Sequence, residues 1–433
     1  MKRSMVLLGI ALLSALLTHG EQAKSDFFFH DQDRVVFLGD SITEQRLYTT
    51  YVEAYLLTRF PQWSLTFRNV GWGGDTAWLR QRAHPNEKEL FAATGSALDE
   101  MVAKAVGSGL SRDVLPLKPT AVTVDFSMND HAYQAFRPDI FRAHIRSQKE
   151  IASVLTKNGA RVALMTTQPI EEKRPDPDKD VKNESLAKFS EGIKDVAAET
   201  GVRFVDQFSP YMALMMKARA EKPDAHIGGG DAVHPGPAGH TLMAWQILKQ
   251  LGSPALVSCG CLDLSRGWFH SKIRCHKNCE ISNIRTRQGT VSFDRLDAAL
   301  PMPIDARAAA ALKLAPVLNE LSRYNLCVFG LKADRYDLLI DGKEVAALSR
   351  EELENGFNLS TVATPNSVQA AKVLELVFKK NNVYFERWRK VQVVNGPAER
   401  LAELDKQIAD LEAQINAARQ PAVHHFELKP AAK

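Results

Sequence analysis

Short, unbroken apolar runs alternate along this chain with longer stretches whose apolar residues recur every three or four positions. The first kind of run reads as a buried strand and the second as an amphipathic helix. Residues 35–38 are apolar and stop at Gly39-Asp40-Ser41, which predicts a strand followed by a polar turn into a helix. Residues 47–60 carry Leu47, Tyr51, Tyr55, Leu56 and Leu57 at helical spacing and end before Pro61. Residues 64–70 predict a second strand running into Gly71-Trp72-Gly73-Gly74-Asp75-Thr76, and a polar, helix-rich connection over 81–118 follows. A third strand at 121–126 ends on Ser127-Met128-Asn129-Asp130, and further strands are predicted at 161–167 and 202–205. Helices are predicted over 140–158, 181–200 and 237–251, the last opening on Pro237. Strand and helix alternating five times predict an α/β fold, a three-layer α/β/α sandwich around a five-stranded parallel sheet.

Beyond residue 252 the pattern changes. Strand-like segments at 291–293, 325–331 and 336–340, a hairpin turn at Asp341-Gly342 and helical stretches at 306–324 and 367–380 predict a C-terminal α+β accessory region over 255–396. Leu401, Leu404, Ile408, Leu411 and Ile415 define an amphipathic helix within 397–420. Its apolar seam spans barely more than two heptads, so it is expected to pack back on its own domain. Residues 421–433 are expected to form a flexible tail.

At the other end, Lys2 and Arg3 precede an apolar run over 5–17 and then polar residues. A basic start, a short apolar stretch and small residues predict a secretory signal over 1–23, with an uncleaved anchor as the alternative. The remainder, beginning with the α/β domain at 26–254, is expected to be exported to the periplasm or outside the cell. Lys plus Arg of 55 against Asp plus Glu of 51 leaves a formal charge of only +4, which argues against nucleic acid or a membrane surface as partner. Hydrophobic content of 45% in 433 residues supplies core for two or three domains.

Candidate chemistry sits at the strand ends. Ser41 follows a strand and begins a helix, where ligands bind in open α/β sheets. Taken singly, Gly39-Asp40-Ser41 is also an ordinary turn with a helix cap, Asn129 a cap, and His234 a surface loop residue. The blocks around Ser41, Gly74, Asn129 and Asp231-Ala232-Val233-His234, in this order over about 35–251, resemble those of the SGNH hydrolase (GDSL esterase) superfamily. The resemblance implies Ser41 as nucleophile, His234 and Asp231 as its partners, and Ser41, Gly74 and Asn129 as oxyanion donors. The chemistry agrees: a serine hydroxyl needs a neighbouring base, and a carboxylate three residues before that histidine can fix its tautomer. The chain departs from the family at Ser127, where glycine is usual.

Asp40, Trp72, Gly73, Asp75, Met128 and Gln168 are candidate substrate-lining residues, with core packing an equal reading for Trp72 and Met128. His240 is expected to be structural. No cofactor and no metal are implied. The longest polar loop at a strand end, 168–182, and the want of an apolar lid favour short acyl esters, acetyl above all, on a polysaccharide or small molecule. A lipase or thioesterase and a non-catalytic carbohydrate-binding protein are the alternatives.

Five cysteines complete the inventory. Cys259, Cys261, Cys275 and Cys279 cluster near His270 and His276, whereas Cys327 lies apart on a predicted strand. In an exported protein at least one disulfide is expected. Zinc is the competing reading and free thiols the plain one. Cys327 is expected to stay unpaired in a strand interior.

Overall fold

A computed structural model describes residues 27–173, 176–265 and 272–431. The expected signal segment and His270 lie outside the described residues. Five strands, β1 (Arg34–Gly39), β2 (Thr66–Asn69), β3 (Ala121–Asp125), β4 (Arg161–Met165) and β5 (Arg203–Val205), form one sheet in the order β2-β1-β3-β4-β5. All pairings are parallel, and Gly39 at the end of β1 lies beside Asp125 at the end of β3. The continuous apolar run of β1 reflects burial on both faces. Val35 and Phe37 pack with Tyr48, Val52, Leu56, Leu242 and Ile247 of helices Leu47–Arg59 and Pro237–Gln250. Val36 and Leu38 pack on the other face with Val102, Val106, Ile151 and Leu155 of helices Gly95–Asp113 and Pro138–Lys157. Burying each such side chain stabilises the fold by about 1.5–3 kcal/mol, so the two-sided packing fixes β1 as the rigid platform under Ser41. Three layers and five parallel strands agree with the expected fold.

The C-terminal region is richer in strands than its sequence pattern suggests. Strands β6 (Leu256–Asp263), β7 (Ile273–Lys277), β8 (Cys279–Arg287), β9 (Thr290–Asp297), β10 (Arg323–Phe329), β11 (Arg335–Ile340), β12 (Lys343–Ser349), β13 (Phe357–Asn358) and β14 (Val423–Pro430) form two sheets, ordered β13-β10-β6-β7 and β12-β11-β14-β9-β8. Val257, Leu326 and Val328 of the first meet Phe293, Leu338 and Phe426 of the second in a separate core.

Three expectations are corrected here. The predicted tail contains β14, hydrogen-bonded between β9 and β11, with Phe426 stacked on Phe293 at 5.1 Å. Its signal was only two inward residues, Phe426 and Leu428, in an otherwise polar strand. The predicted helix over 306–324 is broken into short turns at Ala306–Ala308, Ala311–Leu314 and Val317–Leu321, with Pro316 before the last. The boundary between accessory region and terminal helix also dissolves. Helices Pro365–Phe385 and Ala398–Ala418 pack on the hydrolase layers, where Val373, Val377 and Ile415 join the core beneath Val35 and Phe37. Lys380 Nζ meets Glu53 Oε1 at 2.5 Å with both side chains almost wholly buried, and Asn381 Nδ2 donates to Glu53 Oε2 at 2.9 Å. A buried pair with its remaining oxygen satisfied fixes register, so these helices are anchored to the helix that follows Ser41.

Candidate active site

In the order β2-β1-β3-β4-β5 the chain reverses direction between β1 and β3, and the crevice beyond their C-terminal ends lies at that switch point. Ser41 follows β1, and Asn129 follows β3. Asp40 caps the short helix Ser41–Glu44, its Oδ1 accepting from Ile42 N at 2.9 Å. A Cβ on Gly39 would lie 2.2 Å from Thr43 Oγ1, so this turn tolerates no side chain there.

His234 Nε2 lies 2.9 Å from Ser41 Oγ, and His234 Nδ1 lies 3.1 Å from Asp231 Oδ2. The tautomer that donates from Nδ1 to Asp231 leaves Nε2 free to accept the Ser41 proton. The histidine loop is self-supporting: Asp231 Oδ1 accepts the Val233 and His234 N–H groups, each at 2.8 Å, and Asp231 N donates to His234 O at 3.1 Å. Gly230, at φ +78°, allows this closure, since a Cβ would come within 2.2 Å of His234 O. The loop after β4 holds it from outside. Gln168 Nε2 donates to Val233 O at 2.9 Å, and Glu171 accepts from Ile227 N and Gly228 N at 2.5 and 2.9 Å. Burial works to raise the Asp231 carboxyl's pKa. The His234 and Val233 N–H groups and the His234 ring outweigh it and hold the group below the usual carboxylate range, so it is ionised at neutral pH. Burial, with His234 nearby, drives His240 down to about 3; this neutral ring bonds Tyr48 N and Gln45 and is structural, as expected.

The three expected oxyanion donors differ in what already engages them. In the glycine turn, the N–H groups of Gly71, Trp72, Gly73 and Asp75 donate to Asn69 Oδ1, Gly39 O, Glu44 Oε2 and Trp72 O. Among the described residues the Gly74 N–H has no acceptor, which leaves it for a ligand. Asn129 Nδ2 spends one hydrogen on Asp75 O at 3.0 Å, and its Oδ1 accepts from Tyr133 Oη at 3.1 Å, which fixes the amide's orientation and leaves its second hydrogen. The Ser41 N–H, at the first turn of its helix, has no partner within that helix.

Of the six candidate lining residues, only Gly73 is partly exposed. Asp40, Trp72, Asp75, Met128 and Gln168 are buried and build the scaffold, which corrects that expectation. Asp75 is bound to the Arg82 guanidinium and accepts from Gln81 N, while Met128 lies in the core. The turns expose backbone toward the crevice and send these side chains inward. Burial, then the neighbouring Asp125, pushes Asp40 well above the usual carboxylate range. Burial also lifts Asp125 to about 8. Asp125 therefore favours the neutral form at pH 7, which limits the negative charge in the floor beneath Ser41.

The C-terminal region reaches this site. Glu44 Oε2 holds the Gly73 N–H at 2.9 Å, and Glu44 Oε1 pairs with Arg389 Nε at 3.4 Å. Arg389 lies on the turn Glu386–Gln392, its guanidinium 4.0 Å from the centre of the Trp72 ring. Arg389→Ala should loosen the glycine turn and lower kcat by roughly fivefold with little change in KM. Steady-state kinetics check this: a lower melting temperature with unchanged kcat would make Arg389 a structural strut only.

Ser127 occupies φ +130°, where a side chain is strained, and its buried hydroxyl has no partner among the described residues. Ser127→Gly should raise stability by about 1 kcal/mol, the relieved strain exceeding the entropy glycine adds to the unfolded chain. Thermal unfolding reads this out, and a lower melting temperature would show that the serine side chain stabilises the turn.

Sequence reasoning missed Glu44, Glu171, Tyr133 and Arg389. Tyr133, four residues beyond Asn129, carried a usable positional signal; the others join segments distant in sequence.

Residues 37–242 match the GDSL-like Lipase/Acylhydrolase family. No curated protein matches the sequence. Among solved structures, the chain is similar to BT4096, a gut microbial diltiazem-metabolizing enzyme, with 24% identity, a TM-score of 0.77 and coverage of 93% of this chain and 98% of that one. That likeness extends the shared fold through the C-terminal sheets. Shorter matches are Axe2, an acetylxylan esterase from Geobacillus stearothermophilus, and LAE5, an alpha/beta hydrolase enzyme from the metagenome of Lake Arreo, Spain. Axe2 has 20% identity, a TM-score of 0.39 and coverage of 52% of this chain and 97% of its own. LAE5 has 20% identity, a TM-score of 0.39 and coverage of 52% and 98%. With a serine, histidine and aspartate in one hydrogen-bonded chain on an α/β/α fold, residues 37–242 form a GDSL-like domain of the SGNH hydrolase superfamily, and the protein is an ester-hydrolysing enzyme.

Proposed function

We propose that this enzyme removes short acyl groups, acetyl above all, from carbohydrate esters, using Ser41 as nucleophile. The observation that carries the chemistry is the 2.9 Å contact between Ser41 Oγ and His234 Nε2. Ser41 Oγ attacks the ester carbonyl carbon as its proton passes to His234 Nε2, and Asp231 stabilises the imidazolium formed. The carbonyl oxygen becomes an oxyanion that takes hydrogen bonds from Ser41 N, Gly74 N and Asn129 Nδ2. His234 then returns the proton to the leaving alcohol oxygen, and water repeats the sequence on the acyl-enzyme. The His234 and Asp231 side chains are 37% and 67% exposed, so the site is open enough for a bulky alcohol half. Arg80, tied to the Gly74 carbonyl, and Tyr133, tied to Asn129, give that rim polar groups suited to sugar hydroxyls. Export belongs to the proposal and rests on Lys2, Arg3 and the apolar run over 5–17.

Purified protein assayed on nitrophenyl esters of increasing chain length, acetylated xylan, acetylated pectin and diltiazem tests this reading. Acetyl esters should be cleaved about tenfold or more faster than octanoyl esters. A preference for octanoyl would move the enzyme toward lipases. Cleavage of nitrophenyl acetate with every acetylated sugar untouched would end the carbohydrate assignment.

A further inference from the structure

Four of the chain's five cysteines converge on one face of the β13-β10-β6-β7 sheet, far in sequence from Ser41. In the middle strand, Cys261 is paired with Cys275 of antiparallel β7 on one side and with Cys327 of parallel β10 on the other. Side chains of directly paired residues project to the same face, so these three thiols form a row across the sheet. Cys259, two residues before Cys261, projects to that face as well, because strand side chains alternate. The Sγ atoms of Cys259, Cys261 and Cys327 all lie within 4.8 Å of one another, and those of Cys259 and Cys261 are 3.7 Å apart. Cys275 lies outside that group of three but directly opposite Cys261 in the β6–β7 pairing, on the same face. Cys327, distant in sequence, therefore joins the other cysteines in space, and it is unpaired as expected. All five cysteines are free thiols here, against the expected disulfide.

We propose that Cys259, Cys261 and Cys327, with Cys275 as fourth donor, form a tetrahedral thiolate site for zinc(II) that clamps β7, β6 and β10 together. A Zn–S bond of about 2.3 Å sets the edge of a regular S4 tetrahedron at about 3.8 Å, the spacing already present between Cys259 and Cys261. Those two residues are poorly placed for a disulfide instead, because positions i and i+2 of a strand lie roughly 6.7 Å apart at Cα, at the upper limit for bridging. Binding would release the thiol protons to solvent and leave a site of net negative charge. The buried Arg295 guanidinium, paired with Asp297 at 2.9 Å, lies behind it, with Nη1 3.4 Å from where a Gly260 Cβ would be. The remaining sequence candidates fall outside the set. Cys279 Sγ donates to Cys259 O at 3.3 Å, and His276 Nδ1 is engaged with Cys279 O at 2.8 Å. Cys261 and Cys327 sit on the two strands that hold the first C-terminal sheet together, so the expected role is to staple that sheet.

The test uses the full chain, purified under reductant and stripped of metal, then titrated with zinc against a chromophoric chelator and separately with cobalt(II). One equivalent of zinc per chain is expected, and cobalt should give the intense visible bands of a tetrahedral site with thiolate charge-transfer absorption. Cys327→Ser and Cys275→Ser should each weaken zinc binding about tenfold or more, while Cys279→Ser leaves it unchanged. Ester hydrolysis and circular dichroism of each variant report whether it has folded, and the exposed Cys275 serves should Cys327→Ser misfold. Five titratable thiols with no stoichiometric zinc would overturn the proposal. So would a disulfide among the four that forms in place of metal binding, or undiminished zinc affinity in folded Cys327→Ser.

Discussion

Ser41→Ala will lower kcat for ester hydrolysis by roughly three to six orders of magnitude and leave the protein folded, the scale seen when the nucleophile of a serine relay is removed. Ser41 Oγ is the atom within 2.9 Å of His234 Nε2, and no other hydroxyl is recorded at that nitrogen among the described residues. The fold should survive because Asp40, not Ser41, caps the helix, and because the partly exposed His234 can exchange the lost hydroxyl for water. Any remaining rate would come from binding and the oxyanion donors alone. Kinetics together with labelling by an active-site fluorophosphonate checks the assignment. A variant that is still labelled, or that turns over at the parental rate, would place the nucleophile elsewhere.

Asn129→Ala comes next, with an expected loss of about two to three orders of magnitude in kcat and a KM within a few-fold of the parent. The asymmetry follows from geometry. Asn129 already spends one amide hydrogen on Asp75 O and has its orientation fixed by Tyr133 Oη, so the second hydrogen is held in place before substrate arrives. A donor held this way stabilises the charge that appears in the transition state more than the ground-state carbonyl. Truncation also strands the Asp75 carbonyl, at a stability cost of about 1–2 kcal/mol, so melting temperature must be measured beside the rates. Tyr133→Phe separates the two effects, since it frees the amide to rotate without deleting it. A rise in KM with kcat unchanged in Asn129→Ala would make this residue a substrate-binding group.

The sequence alone determined the α/β/α layers, the strand ends on which Ser41, Gly74 and Asn129 sit, and the loop before helix Pro237–Gln250 that carries Asp231 and His234. Strand and helix periodicity is written in consecutive residues, because burial of β1 on both faces demands an unbroken apolar run and helices burying one face demand three- and four-residue spacing. The 181–200 helix was legible for the same reason, with Asp180 as its cap and Gly201 closing it in the left-handed conformation. The resemblance to the SGNH blocks, placed on those strand ends and that loop, carried the candidate roles. Only the tertiary structure decided which side chains near the site face a ligand, because the glycine turn and the Ser127 turn both bury their neighbours. Tertiary structure also decided that Arg389 supports the glycine turn through Glu44, that β14 fills the gap between β9 and β11, and that Cys327 joins Cys259, Cys261 and Cys275. Each depends on pairing between segments far apart in the chain. Such pairings are selected by the packing energy of the whole fold, and no local periodicity records them.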